Sequence, residues 1–333
     1  MTAENKSGIA VIVVNYGTAD LSIAAVESVL ARQHGGHPVE VHLVDNASPG
    51  DDAARFARAH DEKGWGGRVT LWLEGTNHGF GRGNNVVIYA LMQRPRESGA
   101  APDYVFLLNP DAMLENEALA ILADRLDADP GAGAAGAGIA LPSGKPVTAA
   151  FRFPSATSEF VQAVAFGPVA RVFANRIVAL PPDHPDGPVD WVAGAAVMFR
   201  MSVLRQLNGF DPDFFLYYEE VELMHRIRQA GHEILYVPGA RVLHAEGAAT
   251  DQKSHRPERR PRPSYWYRSW MLYYLKTAGR GGAIAAGAAW IAGALINLPL
   301  SALRGRGPSM PLNFLRDFPR QVMVPLLTGK TDG

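Results

Sequence analysis

Residues 104–108, Y-V-F-L-L, run without a charged side chain straight into Asn109-Pro110-Asp111. An unbroken apolar strand suits the middle of a parallel sheet covered on both faces, and such sheets bind ligands at the carboxyl ends of their strands. Asp111 falls at that edge. Behind a rigid Pro110 and beside the amide of Asn109, its carboxylate is placed to hold a hard divalent cation against a diphosphate. The same three residues also make an ordinary Asx or proline turn, so the rest of the chain has to decide.

The chain has 333 residues, 47% of them hydrophobic, enough to bury one large core or two modest ones. Its formal net charge of -1 gives no overall attraction to nucleic acid, although the C-terminal end is basic. There is no cysteine, which excludes disulfides, thiolate zinc sites and cysteine nucleophiles. The polar start M-T-A-E-N-K-S lacks the basic, apolar and small-residue segments of a signal peptide, so a cytoplasmic location is expected.

Ile9–Asn15, Val39–Asp45, Val69–Leu73 and Tyr104–Leu108 read as short strands, and residues 19–33 and 84–93 between them carry apolar residues at helical spacing. Strand alternating with helix predicts an α/β fold with a doubly wound sheet. Polar clusters close each strand: Asn15-Tyr16-Gly17, Asp45-Asn46-Ala47-Ser48, Gly75-Thr76-Asn77 and Asn109-Pro110-Asp111. They outline a crevice along one sheet edge. Residues 131–136 spell G-A-G-A-A-G and match the dinucleotide fingerprint in letters only, because a helical stretch (115–129) precedes them and a strand (137–141) follows. Nicotinamide binding is therefore rejected. Residues 142–188 are irregular and rich in Pro, Gly and aromatics, as expected of a long excursion over the crevice, and regularity returns at 189–200.

Three further blocks carry chemistry. From Phe210, F-D-P-D-F-F-L-Y-Y-E-E-V-E-L leads through an aromatic run into a helix beginning near Glu219. Neighbouring helical residues point about 100° apart, so Glu219 and Glu220 cannot serve one site equally, and the dipole of the first turn favours an ionised carboxylate able to accept a proton. Glu222 reads instead as an i,i+4 partner of Arg226. From Asn77, N-H-G-F-G-R-G-N-N is a glycine loop entering a helix, suited either to a tight turn or to an anion near its N-H groups, with Arg82 adding charge. His244, after a strand-like 234–237, becomes a candidate Mn²⁺ or Mg²⁺ ligand when paired with Asp111.

Taken in order, V-I-V-V-N-Y, V-D-N-A-S, the glycine loop, L-L-N-P-D, W-V-A-G-A, F-L-Y-Y-E-E-V-E-L and the closing H-A-E-G resemble the inverting glycosyltransferases of family 2, and within them the rhamnosyltransferase-like group. The resemblance covers roughly residues 9–250 and implies a GT-A fold with a nucleotide-sugar donor in the crevice. It implies donor contacts from Asn15, Tyr16, Asp45, Asn77, Gly79, Arg82, Asn84 and Asn109, with Asp45 accepting from the N3-H of uracil or thymine. Asp111 and His244 would hold the cation. Trp191, Gly194, Tyr218 and Glu219 would form the acceptor side, and Glu220 the catalytic base. The chain departs from the family pattern twice, with Asn109 for the first acid of D-x-D and Glu219-Glu220 for the usual Glu-Asp. The donor implied is dTDP-rhamnose and the acceptor a surface or lipid-linked glycan. A UDP-hexose donor, a silent nucleotide-sugar-binding subunit and, more remotely, a two-carboxylate hydrolase are the alternatives.

After residue 250 the character changes. A basic linker (253–262), an aromatic-dense stretch (265–274) and a mild Ala/Gly-rich apolar helix (283–300) suit a peripheral position on the inner face of an anionic membrane. Packing on the catalytic domain, on a second copy in a homodimer, or a true span are the other readings. The expected division is thus a GT-A domain, 1–250, and a helical extension, 251–333.

Overall fold

The computed structural model describes residues 6–95, 101–245 and 259–330. Twelve strands are present among them: β1 (Ile9–Asn15), β2 (Val39–Asp45), β3 (Val69–Leu73), β4 (Tyr104–Leu108), β5 (Ala112–Leu114), β6 (Ala132–Ala140), β7 (Pro146–Val147), β8 (Ala150–Phe151), β9 (Gly187–Val189), β10 (Trp191–Val192), β11 (Ala196–Arg200) and β12 (Glu233–His244). The helices are α1 (Ala19–Leu30), α2 (Asp52–Glu62), α3 (Phe80–Met92), α4 (Ala118–Asp127), α5 (Ala156–Val164), α6 (Gly167–Val172), α7 (Met201–Leu207), α8 (Glu219–Gln229), α9 (Ser264–Leu303), α10 (Phe314–Phe318) and α11 (Val324–Thr328).

Every residue of β1 and β4 is buried, which is why both strands lack alternation. They pair in parallel at the middle of a mixed sheet ordered β3-β2-β1-β4-β11-β6-β12-β5, with β7 and β9 at its margins. Strands β3, β2, β1 and β4 run parallel, β11 is antiparallel to β4, and β5 is antiparallel to β12. The winding order reverses between β1 and β4, so a crevice opens beyond their carboxyl ends. Asn15, Asp45 and the Asn109-Pro110-Asp111 turn lie there. One core fills the α1, α2 and α4 face and a second the α3, α7 and α8 face, each fully buried Val, Leu, Ile or Phe contributing about 1.5–3 kcal/mol.

Several local expectations change. The strand expected at 137–141 begins earlier, at Ala132, so the G-A-G-A-A-G run is largely strand β6 itself, between β11 and β12. Its small residues have a packing reason: a Cβ on Gly136 would lie 2.5 Å from Val192, and one on Gly133 would lie 3.0 Å from Ile227. Only a thin strand lets β10 and α8 approach so closely. Helix α4 is shorter than the 115–129 predicted, and α3 begins at Phe80 rather than near residue 84. Residues 142–188 are not merely an excursion, because α5 forms the platform for the C-terminal extension.

That extension is one 40-residue helix, α9, interrupted at Gly279 (φ 67°, ψ 177°), followed by the short α10 and α11. The aromatic stretch and the apolar helix predicted separately are its two halves. Tyr267, Trp270, Tyr273, Phe314 and Phe318 form a third core with Phe214 and Val221 of the catalytic region. The predicted domain boundary at 250 and most of the basic linker, including Lys253, lie outside the described residues.

Candidate active site

The β4 turn and the end of β12 meet. The register pairs His244 with Ala112, and His244 Nε2 lies 3.0 Å from Asp111 Oδ1 and 3.4 Å from Asn109 Nδ2. The Asp111 side chain is 4% exposed and that of His244 15%, and no Lys or Arg pairs with Asp111 among the described residues. Two donors bound at right angles to one cation at about 2.1 Å stand about 3.0 Å apart, so the pair fits a shared octahedral ion. Asn109 supplies the neutral neighbour expected where an acid is missing. Another group, His37, Asp124 and Asp127, has ligand-like spacing, but Lys6 donates to Asp124 at 2.7 Å and Ser7 and Tyr104 donate to Asp127. Those acceptors are already engaged.

Where β4 pairs with β11, Asn109 N-H donates to Ala195 O at 2.9 Å, which fixes the Asn109-Pro110-Asp111 turn to the start of β11. The preceding Gly194 faces Glu220: a Cβ there would sit 3.4 Å from Glu220 Cβ and Cγ. The Asn109-Pro110-Asp111 turn is thereby tied to the segment whose Gly194 lies alongside Glu220. Glu220 Oε2 and Glu219 Oε2 are buried and accept no hydrogen bond from the described residues.

Burial changes the electrostatic expectation for this pair. The Glu219 carboxyl is pushed well above its ordinary 4.5 by desolvation and by the charge of Glu220 beside it. Glu220 is raised too, by burial, with the backbone N-H groups of Glu220 and Val221 opposing the rise. The helix N-terminus therefore moderates the shift without cancelling it. Both carboxyls are thus raised, Glu219 further than Glu220. Glu222 pairs with Arg226 at 2.8 Å as predicted, and Arg226 also holds the carbonyls of Leu207 and Gly209.

The turn that aims this helix is strained. Tyr217 and Tyr218 both have positive φ, 72° and 68°, a conformation that costs bulky residues about 1–3 kcal/mol each and gathers at functional sites. Helix α9 braces it: Ser269 Oγ donates to Leu216 O at 2.8 Å, and Tyr218 packs 5.3 Å from Tyr273 and 6.0 Å from Trp266. Tyr218 thus packs against the extension. Trp191 stacks on Phe151 at 4.0 Å and donates its indole N-H to Arg152 O.

On the donor side, Asn15 is fully buried, with its side chain engaged by protein groups. Its amide lies 2.8–3.2 Å from Asp45, Ser48 and Asp52, and its carbonyl accepts from Thr18 and Ser22. It positions Asp45, whose Oδ1 accepts from Asn15 and Ser48 while Oδ2 receives no hydrogen bond from the described residues. Tyr16, 49% exposed, stands beside it at the strand end. Asn84 is 1% exposed, its amide donating to Phe80 O within the helix while its Oδ1 accepts no hydrogen bond from the described residues.

The glycine loop is held by a residue of the second polar cluster to which the sequence alone assigned no role of its own. Asn46, 2% exposed, donates to Asn77 Oδ1 and Gly79 O and accepts from His78 N-H. Gly79 (φ 77°) is obligatory here, because a Cβ would fall 1.7 Å from Phe215 O. Asn85, also overlooked, clamps both backbone groups of Phe210 at 2.8 and 2.9 Å. The doubled asparagine was the available signal. Arg82 donates to His78 O and lies over Phe215, lining a cavity of about 400 Å³ with Tyr265 and Arg268.

A mixed sheet with its switch point at β1/β4, a carboxylate-imidazole pair at the β4 turn and a buried acid across from it define the GT-A class of glycosyltransferases. The family model described as "Glycosyltransferase like family 2" matches residues 7–261, and the chain belongs to that family. A similar relative is N-acetylglucosaminyl-diphospho-decaprenol L-rhamnosyltransferase of Mycobacterium tuberculosis, 32% identical over 226 residues, 66% of this chain and 71% of that protein. Rhamnosyltransferase WbbL of Escherichia coli is 25% identical over 177 residues, covering 52% of this chain and 63% of that one. Among solved structures, GalNAc-T7 with UDP, GalNAc and Mn²⁺ superposes with a TM-score of 0.61 at 15% identity, over 98% of this chain and 59% of that chain. That similarity carries the fold.

Proposed function

We propose that this glycosyltransferase moves L-rhamnose from dTDP-rhamnose to a hydroxyl of a lipid-linked or surface glycan, inverting the anomeric centre. The observation that carries the reading is the convergence of Asp111 and His244, 3.0 Å apart, at the β4 turn, which is tied through Ala195 to the segment whose Gly194 lies alongside Glu220. The rhamnosyl donor and the diphospholipid acceptor are suggested by the names of the relatives.

Asp111 and His244 would hold a Mg²⁺ or Mn²⁺ ion, which when bound supplies Lewis-acid stabilisation of a departing diphosphate. Asp45, oriented by Asn15 and Ser48, offers Oδ2 to the N3-H of a pyrimidine base. Asn46 and Asn77 shape the glycine loop along the donor. Glu220 Oε2 takes the proton of the acceptor hydroxyl, and burial of Glu219 beside it disfavours a second, competing charge. Gly194 leaves room for the acceptor next to Glu220.

Asp45 reads thymine and uracil alike, so a UDP-hexose is the second donor to test. A silent binding subunit is disfavoured by the unpartnered Glu220 oxygen buried at the site. Thermal shift with Mn²⁺ and a panel of nucleotide sugars tests the donor directly, because a ligand that binds the native state raises Tm. Selective stabilisation by dTDP-rhamnose is expected; stabilisation by UDP-hexoses alone would refute the rhamnosyl assignment.

A further inference from the structure

The second half of α9 is apolar on its outer face as well as its inner one. From Gly281 to Leu303 it contains no charged residue, and its exposed positions follow a helical stripe through Ala285, Ala288, Ala292, Leu295, Pro299 and Leu303. Leu295, Ile296 and Leu303 are 50%, 43% and 85% exposed. Asn297 and Ser301, which water would solvate, are instead 4% and 5% exposed: Asn297 donates to Val164 O and accepts from Ser309 N-H, and Ser301 donates to Asn297 O. The inner face packs Ala283, Ala286 and Ala294 into the third core and takes Asn297 and Ser301 inward as well, which leaves an outer face without polar side chains, unlike that of a helix facing water.

The charge around the stripe is one-sided. Residues 259–330 hold eleven Lys and Arg against a single acid, Asp317, in a chain whose overall charge is -1. Leu312, Leu315, Val324 and Leu327 extend the exposed apolar surface, with Arg306 and Arg320 exposed among them. Leucines interleaved with cations complement an anionic lipid surface, where apolar side chains enter the acyl boundary and Lys or Arg meet the headgroups.

The opposite side of α9 fixes how it can meet the lipid. A Cβ on Gly293 would fall 2.7 Å from Ala163 Cβ and from Phe160 O, and one on Gly287 would fall 2.4 Å from Met323 Sδ. Helix and platform are locked together by backbone-close packing. The 23-residue segment is about 34 Å long, enough to cross a bilayer, but crossing would tear it from α5.

We propose that the α9 stripe and the adjoining α10–α11 surface lie flat in the interface of an anionic bilayer, docking the catalytic domain without spanning the membrane. This inference is independent of donor identity. The test is co-sedimentation of the full chain with phosphatidylglycerol-containing or pure phosphatidylcholine vesicles at low and high salt. The full chain should bind the anionic vesicles and be weakened by salt. Leu295→Glu with Leu303→Glu should lower partitioning at least about tenfold, whereas Leu295→Met with Leu303→Met should retain it. If the glutamate pair fails to fold, Arg306→Glu with Arg320→Glu tests the same contact through its salt dependence. Failure of the full chain to bind any vesicle would overturn the proposal. So would a concentration-dependent dimer, seen by sedimentation velocity and dissolved by the glutamate pair, because the stripe would then cover a second copy. Stabilisation by nucleotide sugar, measured on the same samples, reports the donor site separately.

Discussion

Replacing Glu220 by Gln isolates proton transfer from everything else the residue does. Glutamine is isosteric, keeps the Cβ and Cγ packing on Gly194, and loses no internal hydrogen bond at Oε2, since that atom has no partner among the described residues. What disappears is the base. General-base catalysis contributes about 10²–10⁴-fold, equivalent to about 2.7–5.5 kcal/mol of barrier. Glu220→Gln should therefore lower kcat by that factor while donor Kd, measured by calorimetry with Mn²⁺, stays within about twofold. Stability should hold or rise, because a raised carboxyl pKa marks a buried charge that the fold resists. Glu219→Gln mimics the protonated form and should cost less than about tenfold. The pH profile follows from the same cause: a base raised above 4.5 loses its charge as pH falls through the raised value, so the acid limb of kcat/KM should lie above the ordinary glutamate range. Residual turnover above about a tenth of wild type in Glu220→Gln, or a larger loss in Glu219→Gln, would refute the assignment.

Asp111→Ala and His244→Ala should each weaken Mn²⁺-dependent donor binding by at least about tenfold and leave metal-free binding unchanged; equal calorimetric affinity with and without each side chain would remove them from the metal site. Gly79→Ala, whose Cβ would meet Phe215 O at 1.7 Å, should destabilise by more than about 2 kcal/mol and abolish donor-induced stabilisation, both read by thermal shift. Glu159, 6% exposed at the α5–α9 seam, is pushed up to about 7 by burial, against the donation of Tyr274 and Trp270. A carboxyl whose folded pKa exceeds its unfolded value binds its proton more tightly when folded, so stability is lost as pH rises from about 4.5 through about 7. Glu159→Gln keeps an acceptor for both donors and should raise stability by on the order of 2–3 kcal/mol at pH 8, with little gain below pH 4.5; equal melting curves across that range would contradict it.

The sheet centre was legible in the sequence because β1 and β4 are buried on both faces and spell it in consecutive apolar residues. The Asp111–His244 pairing was foreseen from residue chemistry, although the two stand 133 positions apart and meet only through the β12–β5 register. Local pattern was weakest where packing overrides propensity. Strand β6, built of Ala and Gly, has almost no strand signature, and its composition makes sense only beside Val192 and Ile227. Asn15 and Asn84 illustrate the same limit from the polar side. An asparagine at a crevice edge and one spent on internal hydrogen bonds are identical in a sequence, and only burial separates them.

The chain by itself determined the order of its strands and turns, the residue types able to bind a cation and accept a proton, and the basic, mildly apolar character of its end. Those properties reside in side-chain chemistry and spacing, which no fold alters. Tertiary structure alone decided that burial would outweigh the helix dipole at Glu219 and Glu220, that Tyr218 would brace the catalytic turn from α9, and that the apolar stripe would face outward. Desolvation, strain and exposure depend on what surrounds an atom, and those surroundings come from residues far away along the chain.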